Sequence, residues 1–163
     1  MHYIGPRRIS GLNDFTDSDG DPRVAVGDSV AYKYEVMSLL GRGSFGRVFR
    51  AYDHKKKEYV ALKIIKNQEK FTNQAKVEIE ILERALLHDP KLRNNIVRLK
   101  GSFIFRGHTC LKFEILSKNL YEFIKETNFS GFSLDLIRRF AIQILQALHF
   151  LSRQGIIHCD LKP

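Results

Sequence analysis

In Val60-Ala61-Leu62-Lys63-Ile64-Ile65 a single lysine interrupts an apolar run, and that ammonium constrains the fold more than any other feature of the chain. Strand alternation puts Ala61, Lys63 and Ile65 on one face, so the charge points into apolar surroundings. An unpaired charge there is costly, and the fold must bring it an anion.

The nearest source of carboxylates is a segment whose Ala75, Ile79, Leu82 and Leu86 recur at helical spacing, predicting a helix over residues 71–87. At roughly 100° per residue, Glu78 lies at the edge of that apolar stripe, one turn before Leu82, while Glu80 and Glu83 turn outward. Without Lys63, Glu78 would read as an ordinary solvated helix charge. With it, Glu78 is the expected partner.

Gly41-Arg42-Gly43-Ser44-Phe45-Gly46 fits GxGxxG, a pattern shared by dinucleotide folds, other nucleotide-binding folds and plain turns. A dinucleotide loop opens a helix, whereas Arg47-Val48-Phe49-Arg50-Ala51-Tyr52 alternates like a strand and Leu39-Leu40 also reads as one. The near match to a Walker A loop fails because Arg47-Val48 stands where Lys-Ser/Thr is required. Strand, glycines, strand points to a hairpin whose bare backbone can approach phosphate oxygens. A plain Gly-rich turn is the alternative if nothing downstream agrees.

Strands are expected at residues 34–40, 47–53, 59–65, 96–103 and 109–116, with hairpin turns at 54–58 and 106–108. After Leu116 the pattern becomes helical: a short segment at 119–127, then a long one at 134–152. Ser133 is the expected N-cap of the long helix, Gly155 its stop, and Ile137, Phe140, Ile144, Leu148 and Leu151 its buried stripe. Residues 1–31, with the acidic run from Asp14 to Asp21, favour turns over a packed element and read as a flexible acidic extension.

The 27 Lys and Arg outnumber 18 Asp and Glu, a formal charge of +9, but they are dispersed and lack an aromatic stacking surface. A solvated basic face is favoured over nucleic-acid binding. The two cysteines, Cys110 and Cys159, sit in apolar runs without metal-ligand spacing, so neither a disulfide nor structural zinc is expected, and packing is the better account of Cys159 than nucleophilic chemistry. No apolar signal core or membrane-length run occurs. A soluble intracellular protein is expected, with no membrane or nucleic-acid partner.

Ile156-Ile157-His158-Cys159-Asp160-Leu161-Lys162-Pro163 follows the long helix and resembles the HRD catalytic loop of protein kinases. With the glycine hairpin, Lys63 and Glu78 in the same order, the chain is identified as a kinase. His-Cys-Asp in place of His-Arg-Asp is similar to the DYRK family (dual-specificity, tyrosine-regulated kinases). So are Ala31-Tyr32-Lys33-Tyr34-Glu35-Val36, Phe113-Glu114-Ile115-Leu116-Ser117-Lys118-Asn119-Leu120-Tyr121 and Phe129-Ser130-Gly131-Phe132-Ser133-Leu134. The resemblance covers residues 30–163, and the acidic run resembles the short acidic box that precedes such kinase domains.

The resemblance implies an α+β, protein-kinase-like fold. A five-stranded antiparallel N-lobe with one helix would occupy residues 32–116, and residues 117–163 would begin a truncated α-helical C-lobe. It implies ATP and Mg2+ as cofactors and ATP with protein substrates as partners, in a monomer acting in the cytoplasm with nuclear residence left open. Asp160 would accept the proton of the substrate hydroxyl and Lys162 would neutralise the γ-phosphate. Lys63, paired with Glu78, would hold the α/β-phosphates. Leu40, Gly41, Arg42, Gly43, Ser44, Phe45, Gly46 and Val48 would cover the nucleotide, and Val48 and Ala61 would sandwich adenine. Phe113 would be the gatekeeper, and the backbones of Glu114 and Leu116 would bond the base. Asp160-Leu161-Lys162 implies Ser/Thr substrates, and the family analogy implies tyrosine autophosphorylation during maturation.

In the kinase pattern the magnesium-binding asparagine falls five residues after Asp160, beyond Pro163, so no metal ligand is expected within the chain. Residues 1–163 are therefore expected to be a kinase fragment, inactive alone; a non-catalytic ATP-binding or interaction module is the alternative.

Overall fold

A computed structural model describes residues 15–163; the first fourteen residues of the acidic extension, Asp14 among them, lie outside the described part. The chain divides into two compact units, one comprising residues up to Glu83 with Arg98–Ile115, the other Arg84–Val97 with Leu116–Pro163.

The first unit is built on an antiparallel sheet of six strands: β1 (Ser29–Val30), β2 (Tyr34–Gly43), β3 (Gly46–Asp53), β4 (Glu58–Ile65), β5 (Leu99–Phe105) and β6 (His108–Phe113). Their order is β1-β2-β3-β4-β6-β5. The two expected hairpin turns close it, with Lys57 at φ 54° in one and Arg106 and Gly107 at 48° and 81° in the other. Five strands were expected. The sixth, β1, is a two-residue pairing of Ser29 with Glu35 and Val30 with Tyr34, too short to show a period.

Alternation along β4 gives the sheet two apolar faces. One buries Val36, Phe49, Ala51, Val60, Leu62, Ile64 and Cys110 together with Val30 and Tyr34. Burial pushes the Cys110 thiol up to about 12, which leaves it an inert packed group. The other face joins Ile65, Leu99 and Leu111 to Ala75, with Phe71, Ile79, Leu82 and Phe113 packed against them. Phe71, Ala75, Ile79 and Leu82 lie on α1 (Glu69–His88), so the helical stripe read from spacing is the docking face.

Residues 15–30 differ from the expected flexible extension. Phe15 is buried, edge-on to Phe105 and to His108. Asp17 Oδ1 accepts the backbone N–H groups of Asp19 and Asp21, and Thr16 bridges Pro22. Arg47 lies 3.7 Å from Asp17 and 3.8 Å from Asp21, while Lys66 is 3.1 Å from Asp21. The acidic composition that favours turns locally is satisfied by basic residues distant in sequence, and one aromatic anchors the segment.

In the second unit α2 (Leu120–Glu126) is capped by Asn119 and α3 (Leu134–Arg153) by Ser133. Gly155, at φ 69°, ends α3: its N–H reaches the Ser152 carbonyl and that of Ile156 reaches Leu151, a Schellman closure. Phe150 and Leu151 pack with Ala85, Ile96 and Ile156. The rest of the expected stripe is only partly covered; Ile137 and Ile144 are exposed. Their helical period is correct, but a period fixes only the side they share and not the presence of a packing neighbour. No described helix is long and apolar enough to cross a membrane.

Candidate functional site

Lys63 pairs with Val48 on β3 and Leu111 on β6, and Ala61 pairs with Arg50 and Phe113. Paired residues share a face, so Val48, Ala61, Lys63, Leu111 and Phe113 lie together on the face that receives α1. There Lys63 Nζ donates to both carboxylate oxygens of Glu78, each at 2.7 Å. The side chains are 23% and 36% exposed, which leaves the ammonium open to a second anion from solvent. Glu80 and Glu83 are exposed, as their helical phase requires.

The three glycines of the hairpin do different things. Gly46 has φ 145°, and a Cβ there would collide with the Ile64 carbonyl oxygen, so this glycine is demanded by the fold. Gly41 and Gly43 have no atom within 4 Å of where a Cβ would stand and no positive φ. Neither packing nor backbone conformation requires them. What their missing side chains leave is access to the backbone, and this fits a cradle for phosphate oxygens. Arg42 and Ser44 extend from the turn, Leu40 is half exposed, and Phe45 meets Phe71 of α1 edge-on at 5.8 Å.

Phe113 is partly buried against Leu99, Leu111 and α1. Glu114 donates its N–H to the Arg98 carbonyl, and its Oε1 accepts the Arg98 N–H at 2.7 Å, fixing the end of β6 to the start of β5. This anchoring role of Glu114 was not visible in the sequence, because Arg98 is 16 residues away. Leu116 is exposed at the start of the second unit.

In the second unit Lys162 Nζ lies 3.0 Å from Asp160 Oδ2, both side chains 73% exposed. The Asp160 N–H donates to His158 Nδ1 at 3.2 Å. Cys159 corrects an expectation: it is exposed, not packed, with φ 61° and its thiol 3.8 Å from the Ile157 carbonyl. Residues 156–163 belong to no helix or strand, so the apolar residues beside Cys159 in sequence do not enclose it.

A lysine–carboxylate pair beside an unobstructed glycine hairpin, on a sheet backed by one helix, is the arrangement of the protein kinase class. The protein kinase domain family matches residues 34–163. Dual specificity tyrosine-phosphorylation-regulated kinase 3 of Macaca fascicularis is 45% identical over all of the chain and 30% of its own length, and the Homo sapiens protein is 45% identical over 29% of its length. A Drosophila melanogaster homologue of the same kinase is 52% identical over 83% of the chain and 16% of its own length. The chain belongs to the protein kinase family, in its DYRK branch, and spans less than a third of the length of these relatives.

Proposed function

We propose that this chain supplies the nucleotide-holding and proton-accepting residues of an ATP-dependent kinase that phosphorylates Ser and Thr of protein substrates and autophosphorylates on tyrosine during maturation. The bidentate Lys63–Glu78 pair carries the reading, because it holds a partly exposed ammonium where phosphate oxygens over Gly41 and Gly43 would meet it. Lys63 binds the α/β-phosphates and Glu78 fixes its direction. Val48 and Ala61 face adenine, Phe113 closes the back of its pocket, and the Glu114 and Leu116 backbones bond its edge.

Asp160 orients the attacking hydroxyl and takes its proton, and Lys162 offsets charge on the transferring phosphoryl group. Magnesium would supply further charge neutralisation on the phosphates. In the family pattern an asparagine five residues after Asp160 would hold the metal. The opposite faces of the two readings separate on one experiment: the whole protein, given labelled ATP and a Ser/Thr/Tyr peptide library, should label Ser and Thr peptides, and Asp160→Asn should abolish this without loss of ATP binding. Nucleotide binding with no transfer in the wild type would leave a binding module in place of an enzyme.

A further inference from the structure

Two ammonium groups of the first unit share one carboxylate. Lys112 is only 5% exposed and its Nζ lies 3.8 Å from Asp53 Oδ2; Lys33 Nζ lies 3.5 Å from the same oxygen. Neither is at hydrogen-bonding distance, and Oδ2 is buried without a hydrogen-bond partner. Asp53 Oδ1 is already engaged by the backbone N–H groups of Lys55 and Lys56. The neighbouring Lys100 is taken by Glu58 at 2.5 Å and adds no free charge of either sign. Both Lys33 and Lys112 lean over the Tyr34 ring, at 4.7 and 5.7 Å from its centroid, which attracts cations but cannot neutralise them. Lys33, Lys100 and Lys112 face the carboxylates of Asp53 and Glu58, the latter also within reach of Lys112. The cluster therefore carries one excess positive charge beside a buried lysine, and a bound anion would offset it.

The cluster opens to solvent through a groove of about 450 Å³ lined by Lys33, Tyr34, Lys100, Ser102, Phe103 and Lys112. One wall is β5, the last strand of the sheet, whose outer edge has no neighbouring strand among the described residues. Gly101, at φ 130° with open space around it, sits at a bulge in that strand. Ile104, beyond it, is exposed. Such an edge can seat an extended peptide.

We propose that this groove binds a phosphorylated serine or threonine side chain of a peptide lying along β5, its phosphate bridging Lys33 and Lys112. A phosphomonoester brings close to two negative charges and three acceptor oxygens, enough to engage both ammonium groups, whereas a carboxylate brings one charge. Lysines suit this role as compact point charges. The site lies on the opposite face of the sheet from Lys63, since Lys112 pairs with Leu62 and not with its neighbour.

Titrating the whole protein with a short peptide carrying one phosphoserine flanked by β-formers, followed by calorimetry, should give saturable binding that weakens with salt. Lys112→Met should weaken it at least about tenfold, the loss expected for a charged hydrogen bond. Lys33→Gln, at a more exposed position, should weaken it severalfold with an unchanged melting temperature, which keeps the test valid if Lys112→Met misfolds. The unphosphorylated peptide should not bind, and inorganic phosphate should compete only weakly. No saturable binding, equal binding of a glutamate-substituted peptide, inorganic phosphate binding as tightly as the phosphopeptide, or indifference to Lys33→Gln would each overturn the proposal. None of these outcomes depends on phosphotransfer.

Discussion

Lys63 Nζ is held 2.7 Å from both oxygens of Glu78, a residue 15 positions further along the chain and on a different element. Both charges keep partial contact with solvent, so their attraction adds little to stability and their value lies in direction. Lys63→Met in the whole protein should lower kcat/KM for ATP by roughly a hundredfold or more, and Glu78→Gln by about tenfold, with melting temperatures nearly unchanged. Steady-state kinetics beside thermal melts would check both; a large stability loss with intact kinetics would reverse the assignment.

The glycines should separate by what each is for. Gly46→Ala must relieve a collision with the Ile64 carbonyl in a backbone region that disfavours side chains, and should destabilise the fold by at least about 2 kcal/mol. Gly43→Ala meets no neighbour, so it should melt like the wild type. Its effect should be read in nucleotide binding, as a severalfold higher Kd for ATP. Denaturant melts and fluorescence titration of a nucleotide analogue would distinguish the two.

His108 gives the first unit a pH dependence. Its Nδ1 donates to the Ile65 carbonyl at 2.6 Å, which leaves Nε2 to accept from the Thr16 hydroxyl at 2.8 Å. Burial holds the ring below the ordinary imidazole range, although the Ile65 carbonyl and the charges of Asp21 and Asp17 pull the other way. A depressed folded value means that the unfolded chain binds the proton more readily. The ring's contribution is therefore complete above the unfolded value of about 6.5 and is lost as pH falls through the folded one. The melting temperature should drop as pH falls below about 6.5, and the drop should be smaller in His108→Gln.

Phe15 anchors the acidic segment through Phe105 and His108. Truncating a buried aromatic costs about 3 kcal/mol where the site cannot collapse, and a segment at the edge of the unit should respond more by local release. Phe15→Ala should raise amide exchange in residues 15–28 well above that in β3 and β4, as measured by mass spectrometry.

Cys159 stands where kinases commonly use an arginine to clamp a phosphorylated activation loop, and an exposed thiol cannot make that charge-assisted contact. Activity of the whole protein should be insensitive to upstream phosphorylation, and Cys159→Arg should introduce sensitivity. Comparing phosphatase-treated and kinase-treated enzyme would test this; a wild-type requirement for such phosphorylation would refute it.

Much of this was legible in residue order. Alternation in Val60–Ile65 chose the face of Lys63, helical phase chose Glu78 over Glu80 and Glu83, and the cap and stop of α3 could be read at Ser133 and Gly155. These are local consequences of dihedral geometry and fixed periods. Other features depend on partners that no period announces. Asp17 and Asp21 look solvated until Arg47 and Lys66 arrive, Glu114 finds Arg98, and Cys159 is exposed although its neighbours in sequence are apolar, because residues 156–163 form no helix or strand.

The sequence by itself determined the family, the order of its motifs and the faces on which their side chains lie, since backbone periodicity and residue chemistry are properties of the chain. Only the tertiary structure decided that Gly46 serves the fold while Gly41 and Gly43 are spare, and that Lys112 and Lys33 converge on one buried carboxylate. Those facts are distances between residues far apart in sequence, and distance exists only once the sheet has closed.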